Sequence, residues 1–116
     1  MALRLSSELW VQAYLRQCRL EGAFGYLASR GSEAAGAIFV KIVQQDGKVD
    51  LYGPAPQSLM TEEALHQDSR LFELLQSGGE AEIDTKLSRE QEFDPDIWII
   101  EIEDATGIHR LPLSPT

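Results

Sequence analysis

The chain has 116 residues, 43% hydrophobic and 25% charged: enough for one hydrophobic core and not two, and too apolar for wholesale disorder. Its net charge is −9 and uneven: residues 1–58 carry six Lys/Arg against five Asp/Glu, or +1, and residues 59–116 carry four against fourteen, or −10. That field opposes a nucleic-acid backbone, which needs a basic footprint, and permits a basic protein partner.

The pattern predicts a first helix over about 7–21, capped by Ser6 or Ser7 with Glu8 near its positive end. Trp10, Ala13, Tyr14 and Gln17 form one stripe, and Val11, Leu15 and Cys18 its neighbour. Arg16 and Arg19 suit the C-terminal end, and Gly22 stops the helix. Strand-like runs follow at 23–30, 37–45 and 48–52. The last two flank Asp46-Gly47, read as a two-residue type I′ turn. That turn sets Val43 opposite Asp50, Ile42 opposite Leu51 and Lys41 opposite Tyr52. Ile38, Val40, Ile42, Val49 and Leu51 then share a core face, and Phe39, Lys41, Val43, Asp50 and Tyr52 share the other.

Tyr52-Gly53-Pro54-Ala55-Pro56 ends the meander, because two prolines cannot continue a central strand. Residues 61–66 suit a short helical turn; in 71–76, Leu71, Leu74 and Leu75 suit a helix while Phe72 and Leu74 suit the strand that is expected there. Gly78-Gly79 breaks the chain before a second helix at 80–92, with Ile83 and Leu87 one turn apart. Asp94-Pro95-Asp96 halts it. Residues 97–103 form a strand, and a 104–107 loop returns to a strand at 108–113 that sets Glu101 opposite Arg110 and Ile102 opposite His109. The order predicts a single α+β domain over 1–116: a mostly antiparallel sheet of five or six strands with both helices on one face.

Leu9-Trp10-Val11-Gln12-Ala13-Tyr14-Leu15-Arg16 with Cys18, Gly22-Ala23, Leu51 through Pro56, and Phe93 through Trp98 running into Glu101 through Asp104 together resemble an uncharacterised family of short bacterial proteins, domain of unknown function family 1491. The resemblance spans almost the whole chain and implies a single domain. Residues 59–79 depart most from the pattern. No catalytic or binding residue is implied.

Chemistry is concentrated in Phe93–Asp104, with five carboxylates, Trp98 and four isoleucines. An extended strand holds Asp96 and Glu101 roughly 17 Å apart, at about 3.3 Å per residue, too far to share an ion. Glu101 and Glu103 share a face, roughly 7 Å apart. The plain structural reading has Asp94 capping the helix–strand junction, Glu101 pairing with Arg110 and Asp104 starting a turn. Trp98, alternating with Ile100 and Ile102, belongs to a core face, as do Cys18 and His109.

One cysteine and two distant histidines, His66 and His109, give no zinc-type spacing, and no phosphate loop or nucleophile elbow is present, so neither metal nor cofactor is expected. No apolar run approaches the roughly 20 residues that span a bilayer, and the N-terminus lacks a signal-peptide core, so a cytoplasmic protein with no membrane role is expected.

These features point to a non-catalytic binding or assembly module, engaging a protein partner or a second copy of itself. Its expected surface is the outer sheet face at Phe39, Lys41 and Tyr52 with the Pro54–Pro56 loop, unless a helix or loop of the same chain covers that face. The alternative is a small acid–base or metal-dependent enzyme using Glu101 and Glu103 with Arg110 or His109. A nucleic-acid binder would need a local patch of Arg4, Arg16, Arg19 and Arg30.

Overall fold

A computed structural model describes residues 5–56, 70–103 and 110–114. Helix α1 (Ser7–Leu20) starts where the Ser6 hydroxyl accepts a hydrogen bond from Leu9 N. It ends in a Schellman motif, Gly22 N donating to Arg19 O and Ala23 N to Cys18 O. Val11, Tyr14, Leu15 and Cys18 form its buried stripe. Its first free amides, Ser7 and Glu8, donate to Ala34 O and Glu33 O, and the buried Ser7 hydroxyl donates to Gly36 O at 2.7 Å. The helix is thereby anchored to the 30–37 loop. The same loop receives Trp98 Nε1 on Ser32 O at 2.7 Å, with the Arg30 guanidinium 5.2 Å from the Trp98 ring centre.

Strands β1 (Phe24–Ser29), β2 (Ile38–Val43), β3 (Val49–Pro54), β4 (Phe72–Gly78) and β5 (Trp98–Glu103) form one sheet in the order β1-β5-β2-β3-β4. Only β2 and β5 are parallel. Because β4 runs in the same direction as β5, helix α2 (Glu80–Phe93) must cross the sheet between them. Strand β5 is flanked on both sides and buries Trp98, Ile100 and Ile102 on one face and Ile99 on the other, which is why its isoleucines run almost without interruption. Asp94 forms the junction as expected: its N–H donates to Glu90 O, closing α2, and its carboxylate accepts from Asp96 N.

The β2–β3 hairpin differs from the sequence expectation by one residue. Gln44 N donates to Lys48 O and Gly47 N to Gln44 O, so the loop is Gln45-Asp46-Gly47, with Gly47 at φ 85°. This is a three-residue turn with a left-handed glycine rather than a type I′ turn. Val43 therefore pairs with Val49, Ile42 with Asp50, Lys41 with Leu51 and Val40 with Tyr52.

A one-residue shift moves a whole strand's side chains to the other face. Ile38, Val40, Ile42 and Tyr52 join α1, Trp98, Ile100 and Ile102 in one cluster, whereas Phe39, Val49 and Leu51 join Ile83, Leu87, Ile97 and Ile99 in another. Both faces are apolar and both need a cover. The helices accordingly lie on opposite faces of the α+β sheet, correcting the expectation that they share one.

The expected pairing of Glu101 with Arg110 is also corrected: Glu101 sits between Tyr26 of β1 and Lys41 of β2, leaving no room for a further strand. The described part of the 108–113 segment instead runs beside β4. Leu113 forms a parallel bridge with Phe72, Phe72 N donates to Pro112 O, and Ser114 N donates to Phe72 O. The helical turn expected at 61–66 and the loop at 104–107, with Asp104, lie outside the described residues, as do His66 and His109.

The 30–37 loop passes so close to the Asp96-Ile97 backbone leading into β5 that a Cβ on Gly31 would stand 2.6 Å from Ile97 O and overlap the Asp96 carbonyl. Gly31→Ala should therefore cost about 1–3 kcal/mol through forced displacement of backbone. Urea unfolding checks this as a lower midpoint at constant slope. An unchanged midpoint would mean that the loop yields freely.

Candidate functional site

Lys41 lies near the middle of β2, on the face that α2 covers, and is 4% exposed. A lysine so deep must have its ammonium compensated. Its Nζ donates to Glu80 Oε2 and Asp84 Oδ1, both at 2.8 Å, and stands 3.0 Å from Glu101 Oε1. Glu80 and Asp84 are one turn apart on α2 and more than half exposed, whereas the Glu101 side chain is 13% exposed. The second oxygen of Glu101 accepts a hydrogen bond from the Tyr26 hydroxyl of β1.

Burial disfavours the Lys41 charge, but the hydrogen bonds to Asp84, Glu80 and Glu101 outweigh it and hold the group above the ordinary lysine range. The hydrogen bond to Glu101, then desolvation and the Glu101 charge, push the Tyr26 phenol up to about 12. A lysine held protonated is no nucleophile, and a phenol held protonated is no base. The network fastens α2 to β2 and β5.

Farther along the same helix stripe, Gln91 Nε2 donates to Ser29 Oγ of β1 at 2.8 Å. Between these ties the outer end of the face is open. There, on β1, Phe24 is 64% exposed and Tyr26 37%; Leu27, paired with Ile100 on the α1 face, is 36% exposed. The Phe24 and Tyr26 rings lie 5.9 Å apart and stand opposite Glu103 and Glu101 in register. Among the described residues, strand β1 has a sheet neighbour on one side only, and Phe24–Ser29 contains no charge and no proline. Outer strands are normally blunted by such residues or covered. The opposite outer strand, β4, follows that norm: it carries Glu73, and the C-terminal segment lies along its first residue.

The residues anticipated from sequence do not form one surface. Phe39 and Lys41 are buried beneath α2, and Tyr52 is buried on the α1 face, where desolvation and then Asp50 raise its phenol. Pro54 and Pro56 are exposed around a buried Ala55. The alternative catalytic set also separates: Glu101 is held by Lys41 and Tyr26, Glu103 is exposed at the end of β5, and Arg110 Nε pairs with Glu21 Oε2 at 3.0 Å. Among the described residues no group of three or more His, Cys, Asp or Glu is arranged to hold a metal ion.

A hollow of about 500 Å3 lies on the other flank of α2, lined by Gln76, Glu82, Thr85, Lys86, Arg89 and Glu90; two of these, Lys86 and Glu90, pair with each other at 3.5 Å. Sequence reasoning missed Glu80, Asp84, Phe24 and Tyr26. The alternation of Phe24 and Tyr26 in an uncharged run was the available signal.

Comparison with known proteins places these features in context. Residues 5–112 match the family described as "Protein of unknown function (DUF1491)". A crystal structure of a DUF1491 family protein from Caulobacter crescentus CB15 is 33% identical, covers 97% of this chain and 100% of that one, and superposes with a TM-score of 0.79. The solution structure of a protein from A. tumefaciens is 40% identical over 98% of this chain and 99% of that one, with a TM-score of 0.77. No curated protein matches the chain.

Two outcomes follow from the Lys41 network and the raised phenols. Lys41→Met leaves Glu101 uncompensated and frees α2, and should cost about 3–5 kcal/mol in denaturant unfolding. Asp84→Asn, at an exposed partner, should stay within about 1 kcal/mol. The second concerns alkali. The phenols of Tyr14, Tyr26 and Tyr52, all three tyrosines of the chain, are raised above 10.0, Tyr14 chiefly by burial, and Lys41 is raised above 10.5. A group raised in the folded state contributes stability fully below its unfolded pKa and loses it as pH climbs toward the folded value. Stability should therefore fall as pH passes about 10, with phenolate ultraviolet absorbance appearing later than in free tyrosine and together with unfolding. Phenolate absorbance growing in the native protein at pH 10 would contradict this.

Proposed function

Since the chain belongs to the DUF1491 family, whose function is unknown, it inherits no activity from its relatives, and we propose that it is a non-catalytic binding module whose docking surface is β1 with the adjoining part of β5. The observation that carries this reading is an outer strand left bare. Among the described residues, Phe24 and Tyr26 are exposed on one face and Leu27 on the other of a strand with neither charge nor proline, while the opposite outer strand is protected. The carboxylates of Glu101 and Glu103 border the two rings and give the surface an acidic margin. The chemistry nearby supports binding rather than turnover, because Lys41 and Tyr26 are both held in their protonated forms by the groups they touch. A reducing compartment fits the single buried cysteine, Cys18.

The surface is tested by placing a photo-crosslinking amino acid at Leu27, and separately at Arg89 on the far flank of α2, in cells that make the protein. A discrete protein adduct should form from position 27, disappear when Phe24→Ser is added, and be absent from position 89. Equal adducts from both positions, or none from position 27, would refute the docking surface.

A further inference from the structure

Building on that docking surface, we propose that the partner is an extended basic protein segment that adds to the free edge of β1 as a further strand, its Lys or Arg side chains lying over Phe24 and Tyr26 toward Glu101 and Glu103. Strand addition is favoured by the shape of the edge. Phe24 through Leu27 keep regular register with β5, and irregularity begins only between Leu27 and Ser29. Among the described residues, the one side chain bonded to the β1 backbone is Arg19, whose guanidinium donates to Gly25 O at 3.1 Å. Main-chain pairing would supply affinity there, and alternating side chains would supply selectivity.

The class of partner follows from the charge. Neighbouring strands lie about 4.8 Å apart, so an added residue would stand about 5 Å from Phe24 or Tyr26 and about 10 Å from the carboxylate-bearing positions of β5. A Lys or Arg side chain spans that gap while crossing a ring face, a contact that aromatic groups favour. Glu101 is already engaged by Lys41 and Tyr26, so the exposed Glu103 is the main acceptor. Glu80 and Asp84 add to the negative field, since three carboxylates surround the single Lys41 ammonium. A second copy of the chain is the wrong occupant: it carries the same net charge of −9 and offers no cation on β1. The partner's alternate positions, facing Leu27, would be apolar.

The probe is a blocked peptide of about eight residues alternating Lys and Val, titrated into the full chain and followed by amide chemical shifts and hydrogen exchange. Two further peptides carry the same charge but are N-methylated either on every Lys or on every Val, so that only one of them blocks the amides facing β1. The parent peptide should bind with shifts and slowed exchange centred on residues 24–29. One methylated form should bind like the parent and the other about tenfold or more weaker, and an alternating Glu/Val peptide should not bind. Phe24→Ser should weaken the parent about tenfold without lowering the thermal midpoint. Equal binding of all Lys peptides would reduce the effect to charge alone and overturn the proposal. So would shifts confined to other elements, or sedimentation showing a β1-dependent dimer without peptide. An adduct from position 27 in cells, with no peptide binding, would leave the docking surface standing and overturn strand addition; failure of both would overturn both.

Discussion

The three-residue turn at Gln45-Asp46-Gly47 decides which side chains of β2 and β3 share a face. It places Val49 and Leu51 beside Phe39 and Val43, and Tyr52 beside Val40 and Ile42. Neither face is then polar enough to meet water. Helix α1 covers one and α2 the other, which gives three layers from a chain just long enough to build them. The crossover from β4 to β5 brings α2 over the second face, and β5 enters between β1 and β2.

Helix α2 brings little apolar surface to this arrangement, since only Ile83 and Leu87 are buried. Lys41 supplies a second hold. A buried ion pair is weak evidence of net stability, because desolvation offsets much of its attraction. Its geometry is nevertheless specific: one ammonium meets two carboxylates spaced a helical turn apart and a third on the neighbouring strand. Such a tie sets the helix's lateral position more firmly than two apolar side chains would. Helix α2 lies against β3 and β4 and reaches β1 through Gln91 on Ser29, and Phe24 and Tyr26 on the same face are left exposed.

Most elements were legible in the sequence because their signals are local. The Ser6 cap, the Gly22 stop, the Ile83–Leu87 spacing and the Asp94-Pro95 break all act within one turn of chain. The isoleucine-rich run of β5 likewise marked a buried strand. Register was not legible. Asp46-Gly47 suits a two-residue type I′ turn and also a three-residue turn ending in a left-handed glycine, and the flanking apolar residues fit either pairing. That single ambiguity misplaced Tyr52, Val49 and Leu51, and the order of elements alone could not show that both sheet faces are apolar and need a helix each. The neighbours of β5 were hidden for another reason. A return hairpin to Arg110 was the shortest connection, but β1, some seventy residues earlier, occupies that side, as the Tyr26–Glu101 contact across 75 residues records. The Lys41 network spans 39 and 43 residues to α2 and leaves no local trace.

The division of charge along the chain becomes a division in space. The first half is nearly neutral and contributes β1, an uncharged strand; the second half carries the acid and contributes α2 and β5. Folding sets β5 beside β1, so that Glu101 and Glu103 stand opposite Tyr26 and Phe24. An outer strand without charges of its own thus gains an acidic margin from its neighbour. Two copies of such an edge repel through that margin, while an extended cationic segment is drawn to it. The usual devices against edge-to-edge association place a charge or a proline within the strand itself. Under the proposed strand addition, a borrowed margin leaves the β1 edge open among the described residues and would make access to it depend on the sign of the approaching charge.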